Sequence, residues 1–168
     1  MNNLARAVNL LKESLPIENC IIEDELIFSG NFTSDIEHNA PIIIKSTWLN
    51  RLYLCHFTAK KEIHLKNCFF KGEVHFMSIF PESQFSVRGC SFFGDLVFND
   101  CAFLETFVFE YNTCHGKVEF FDCDFHGQAT ITNNDLRQGT DLFSHGDQPY
   151  RNEFKIPPIV TGNIGLSL

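Results

Sequence analysis

Three sets of side chains in this sequence are able to do chemistry: seven cysteines, seven histidines and a run of carboxylates in the C-terminal half. A thiol nucleophile needs an imidazole within reach. Cys55-His56 and Cys114-His115 are adjacent in sequence, and adjacent residues of a strand point to opposite faces, so neither makes a nucleophile–base pair. His38, His126 and His145 are scattered along the chain. The carboxylates are Asp95, Asp100, Glu105, Glu110, Glu119, Asp122, Asp124 and Asp135, against Lys117 alone between Asp95 and Asp135. Asp100 and Asp122 lie twenty-two residues apart, as do Lys66 and Arg88. Two stacked carboxylates can serve glycoside hydrolysis or hold a metal, but solvated turn residues are the plainer reading. The cysteines are odd in number and lack a CxxC pair. They read as buried free thiols acting as small hydrophobes, although stacked residues are close enough for a disulfide. Nothing matches zinc-ligand spacing, a phosphate loop or a nucleotide fingerprint. The expectation is a protein that is not an enzyme, with no metal and no cofactor.

A repeat positions these groups. Ile63, Leu65, Cys68, Phe70 and Gly72 form one unit, and eleven residues on come Val74, Phe76 and Ile79. The series runs from Leu52 to Leu136 with apolar steps of two, three, two and four. A step of two is strand periodicity, a step of three is a corner, and helical spacing fails. Gly72, Gly94 and Gly116 repeat every twenty-two residues, as do Phe76, Phe98 and Phe120. Two units therefore make one coil of four short sides, whose apolar face is buried by stacking on the next coil. The glycines are expected at corners needing positive φ. His64 and His75 occupy equivalent unit positions on opposite sides of such a rod.

The Cys-x-Phe steps at 68–70, 90–92, 101–103 and 123–125 resemble those of the pentapeptide-repeat proteins, whose small and large inward residues lie two apart. The resemblance covers roughly residues 42 to 136, with one residue added every second repeat and the polar residue before the large one mostly missing. It implies an all-β fold, a right-handed parallel β-helix with four sides.

The rest of the chain frames the coils as a single domain. Residues 2–14 read as an N-terminal helix with Leu4, Ala7, Val8 and Leu11 on one face, capped by Asn2 or Asn3 and stopped by Pro16. The coils span 20–138, with a polar loop from Ser34 to Ala40. Residues 139–168, with Pro149, Pro157 and Pro158, read as an extended segment rather than a coil, docked by Tyr150, Phe154, Ile156, Ile159 and Val160. Asn31-Phe32-Thr33 matches a glycosylation sequon by chance.

Function on a solenoid belongs to its outward positions. The formal net charge is −8, which argues against direct nucleic-acid binding. No apolar run reaches membrane-spanning length and no signal peptide is evident, so the expected compartment is the cytoplasm, with no membrane partner. Apolar residues at outward positions are Phe69, Phe80, Phe93, Val97, Leu104, Val108 and Phe121, several among the acids. An apolar patch beside acids suits a protein interface. The best reading is a protein-binding module, monomer or homodimer, that holds a basic partner such as a toxin or a DNA-acting enzyme, in the manner of an inhibitor or immunity protein. Two alternatives are a duplex mimic acting on a type II topoisomerase, which the family resemblance suggests, and a protein that binds or cleaves polysaccharide.

Overall fold

In–out alternation builds every rung. Ile63 and Leu65 are buried while His64 and Lys66 face outward, and the same order recurs at Leu96–Asn99 and Val118–Phe121. The structure, a computed structural model, describes residues 3–30, 36–143 and 151–166. Asn2, the sequon Asn31-Phe32-Thr33, Ser34, His145, Pro149 and Tyr150 lie outside those residues.

One coil has four sides. Ile63–Lys66 forms the first side and Phe69–Phe70 the second; Val74–Pro81 runs along the third and turns into the fourth. The next coil restarts at Phe85–Arg88. Every pairing is parallel, and Ile63 sits over Phe85, Phe85 over Phe107 and Phe107 over Ala129, which is the twenty-two-residue step. The first side holds seven rungs, so at ~4.8 Å per rung the rod is roughly 29 Å long. The chain is an all-β parallel solenoid with one short N-terminal helix.

Stacked rings fill the interior. Phe76, Phe98 and Phe120 stack with centroids 4.8 and 4.6 Å apart, and Phe103, Phe125 and Phe154 with centroids 5.0 and 4.5 Å apart. Each fully buried ring is worth about 2 kcal/mol of apolar burial, and stacking adds roughly 1 kcal/mol per pair.

The corners work differently from the sequence expectation. Gly72, Gly94 and Gly116 are absent from the positive-φ positions. They are glycine because the backbones of successive coils touch: a Cβ on Gly94 would lie 2.5 Å from the carbonyl carbon of Gly72, and one on Gly116 would lie 2.4 Å from the Gly94 carbonyl oxygen. The left-handed corners fall between the first and second sides, at Asn19, Ser46, Asn67, Gly89, Tyr111, Asn133 and Gly162, and between the third and fourth, at His56, Ser78, Asp100 and Asp122.

Inside the first of those corners a column of polar side chains ties the coils together. The backbone N–H of Cys68 meets Cys90 Sγ at 3.5 Å, and that of Cys90 donates to Asn112 Oδ1 at 2.9 Å. Asn112 N–H then donates to Asn134 Oδ1, and Asn134 N–H to Asn163 Oδ1, both at 2.9 Å. Each amide also returns a hydrogen bond to a backbone carbonyl, Asn134 to Phe109 at 2.8 Å. Buried backbone groups left by the bend are thereby satisfied.

Both ends depart from expectation in detail. The helix spans Asn3–Lys12 and packs Ala7 and Leu11 into the core. It is stopped by Ser14 rather than Pro16. Ser14 adopts φ 62°, Ser14 N–H donates to Leu11 and Leu15 N–H to Leu10, a Schellman closure. At the other end, residues 151–166 are a further turn in register, correcting the reading of an extended segment. Glu153–Phe154 pairs with Asp124–Phe125, and Ile159–Thr161 with Thr130–Thr132. The register step there is 29 residues instead of 22, a seven-residue lengthening that hides the period.

Candidate functional site

The four sides sort the outward acids. Glu119 projects from the third side at Val118–Phe121, beside Val97 in the neighbouring rung and two residues from Phe121. Asp100 and Asp122 occupy equivalent left-handed positions at the next corner, with φ 53° and 54°. Asp124 begins the fourth side one residue past Cys123, Leu104 lies on that side, and Glu105 follows it. These eight residues wrap one edge of the rod across two neighbouring coils. The other four do not join them. Phe93 and Asp95 flank the Gly94 corner between the second and third sides, and Val108 and Glu110 lie on the first side.

Ion pairing separates the two halves. Lys45 meets Glu18 at 3.0 Å and Arg51 meets Glu25 at 2.6 Å. Lys60 lies between Glu37 and Glu82 at 3.0 and 2.7 Å. Among the sequence-predicted acids, Glu110 meets Arg88 at 3.4 Å and accepts a hydrogen bond from Thr132, while Asp95 accepts the Lys117 N–H at 2.9 Å. Asp100 accepts the Ser78 hydroxyl at 2.8 Å. Among the described residues no cation forms an ion pair with Asp100, Glu105, Glu119 or Asp122. The third–fourth edge therefore carries a concentrated negative field, while Lys45, Arg51 and Lys60 in the N-terminal coils are tied to their own carboxylates.

The apolar positions divide likewise. Leu104 and Phe121 are each 41% exposed beside the acids, and Phe93 is 47% exposed. Val97 is half-buried. Val108, read as outward and exposed, does face out of the pleat but is 3% exposed, because its side chain sinks among neighbours on the first side. Trp48, Phe69, Phe93 and His115 form a ribbon along the second side, with successive ring centroids 6.1, 4.7 and 4.3 Å apart. Trp48–Phe69 and Phe93–His115 are stacked at 11° and 28°, and Phe69–Phe93 is tilted at 35°.

The nucleophiles are tuned for packing. Six of the seven cysteines are buried and all are free thiols. Burial pushes the Cys101 thiol well above its ordinary range and Cys114 up to about 12, and the thiols of Cys68 and Cys101 point at the carbonyls of Ile44 and Phe76. Cys114 is inside and His115 outside. His64 lies on the first side and His75 on the third. His38 sits edge-on to Phe28 and Phe57, and burial lowers its pKa. Among the described residues no cluster of three or more His, Cys, Asp or Glu is arranged to hold a metal ion, and no helix is long and apolar enough to cross a membrane. Comparison with known proteins finds no match to a family model, a curated protein or a solved structure.

Proposed function

We propose that this chain is a non-catalytic binding protein that holds a basic protein partner against the edge between its third and fourth sides, as an inhibitor or immunity protein holds a toxin. The observation that carries this reading is the set of unpaired acids, Asp100, Glu105, Glu119 and Asp122, interleaved with exposed Leu104 and Phe121. Clustered charge steers a partner of opposite sign, and exposed apolar side chains at its centre supply the buried core of an interface. In this reading the fold is a degenerate relative of the right-handed pentapeptide-repeat helices. What supports it is the inward small–large step, with Cys68 and Phe70, Cys90 and Phe92, Cys101 and Phe103 all buried. Buried free thiols suit a reducing compartment such as the cytoplasm. Duplex mimicry is less favoured, since Lys45, Lys66 and Arg88 interrupt any acidic stripe on the first side.

The test is affinity capture from the native host, followed by binding of the purified captured protein. Three baits are used: wild type, Asp100→Lys/Glu119→Lys/Asp122→Lys, and Glu110→Lys as a first-side control. The expected result is a basic partner held by wild type and the control and lost by the triple variant. A partner held equally by all three, or none at all, would overturn the reading.

A further inference from the structure

The first side carries a feature of opposite sign. Its outward ladder reads Glu18, Lys45, Lys66, Arg88, Glu110 and Thr132 in consecutive rungs, each in register with the next. Three cations thus stack at the strand spacing of ~4.8 Å. Like charges directly opposite in neighbouring strands destabilise a sheet, so such a stack asks for a counter-charge. Glu18 supplies one to Lys45 at 3.0 Å, and Glu110 supplies one to Arg88 at 3.4 Å. Among the described residues no carboxylate forms an ion pair with Lys66, the middle rung.

Beside this ladder lies a groove of about 410 Å³, in the size range of small-molecule sites. Ser86 is among the residues lining it; it is 4% exposed and smaller than His64 and Val108, which flank it in the same column. Gln84 and His64 line the groove as neutral hydrogen-bonding groups, and Ile43 adds apolar surface.

We propose that this groove binds a phosphate monoester, its dianionic head held by Lys45, Lys66 and Arg88 and its organic part against Ile43 and His64. A dianion matches more than one cation, and its oxygens can accept from ammonium, guanidinium and side-chain amide donors together. The ligand is small. Glu18 and Glu110 close the ladder at both ends, and the net charge of −8 repels an extended polyanion such as a nucleic-acid strand. His64 is a built-in reporter. Burial lowers its pKa first; Glu62 acts against this, and Arg88 and Lys45 lower it further. An anion that neutralises those cations raises it.

The experiment is an NMR titration of the full chain with ribose 5-phosphate, inorganic phosphate and, at matched ionic strength, sodium chloride. Expected are saturable amide shifts at Ile43, Lys45, His64, Lys66, Ser86 and Arg88 with the phosphates, an upward movement of the His64 titration, and tighter binding of the monoester than of inorganic phosphate. Lys66→Met, which keeps the aliphatic stem, weakens binding about fivefold, and Lys71→Met, the same charge change at the exposed corner after the second side, leaves it unchanged. Equal shifts in sodium chloride would reduce the effect to screening and overturn the site. Equal affinity for inorganic phosphate would overturn the monoester. Unaltered binding by Lys66→Met would remove the ladder from recognition.

Discussion

At the scale of single residues, the corner column shows how one inward position solves two problems. The bend between the first and second sides leaves backbone N–H and C=O groups facing the interior. Cys68 and Cys90 answer with thiols: Cys90 Sγ accepts weakly from the Cys68 N–H at 3.5 Å, and the Cys68 thiol donates weakly to the carbonyls of Ile44 and Lys66 at 3.3 Å. Asn112, Asn134 and Asn163 answer with amides at 2.7 to 3.0 Å. An amide accepts from the coil before it and donates to a carbonyl, so one side chain closes both orphaned groups. Asn134→Leu takes away the acceptor of the buried Asn112 N–H and removes the side-chain donor to the Phe109 carbonyl. We expect a loss of about 3 kcal/mol in urea denaturation. Asn134→Cys, which reproduces the chemistry of the column two coils earlier, is expected to cost less than half of that. Equal losses for the two variants would show that volume rather than hydrogen bonding governs the column.

At the scale of elements, two kinds of corner respond oppositely to substitution. Gly94 is fixed by contact, because any Cβ strikes the Gly72–Glu73 backbone at 2.5 to 2.7 Å. Tyr111 is the reverse case, a bulky, 64% exposed residue held at φ 56° where the neighbouring coils have Gly89 and Asn133. A non-glycine residue in that region costs roughly 1 to 2 kcal/mol, and asparagine relieves part of it. Gly94→Ala should therefore destabilise by about 2 kcal/mol, whereas Tyr111→Asn should stabilise by up to about 1 kcal/mol. Calorimetric melting of both variants checks the pair; a Tm raised by Gly94→Ala would refute the contact argument. The same elements show what was legible. The coil path from Leu52 to Leu136 could be read because inward apolar steps are set by local pleat and corner geometry. The reason for the glycines could not, since it lies in the coil twenty-two residues away. Nor could the burial of Val108, which its neighbours on the first side impose, or the pairing of Glu18 with Lys45, whose 27-residue separation departs from the period. The last turn escaped because a 29-residue register step breaks the rhythm.

At the scale of the molecule, a solenoid is nearly one-dimensional: each coil contacts only its neighbours, so a defect at one end stays there. The N-terminal end is closed by the helix, with Ala7 and Leu11 1% exposed. The C-terminal end is closed by the turn of residues 151–166, which rests on Phe154 stacked upon Phe125 at 4.5 Å and on the amides of Asn152 and Asn163. Three amides report whether that turn is docked. Asn133 N–H donates to Thr161 and Leu136 N–H to Ile164, at 2.9 and 2.7 Å, and Asn134 N–H donates to Asn163 Oδ1. Asn67 N–H, bonded to Arg88 at 2.9 Å in the middle of the rod, is the control. Phe154 is half-buried, so Phe154→Ala costs about 2 kcal/mol, below the full core value. If the last turn opens by itself, hydrogen exchange at Asn133, Asn134 and Leu136 accelerates roughly thirtyfold and exchange at Asn67 is unchanged. Acceleration of all four amides together would mean that the rod unfolds as one cooperative unit. In that case the terminal turn would be part of the global fold rather than a separable cover, and the interior ring stacks would transmit its loss to the first coil.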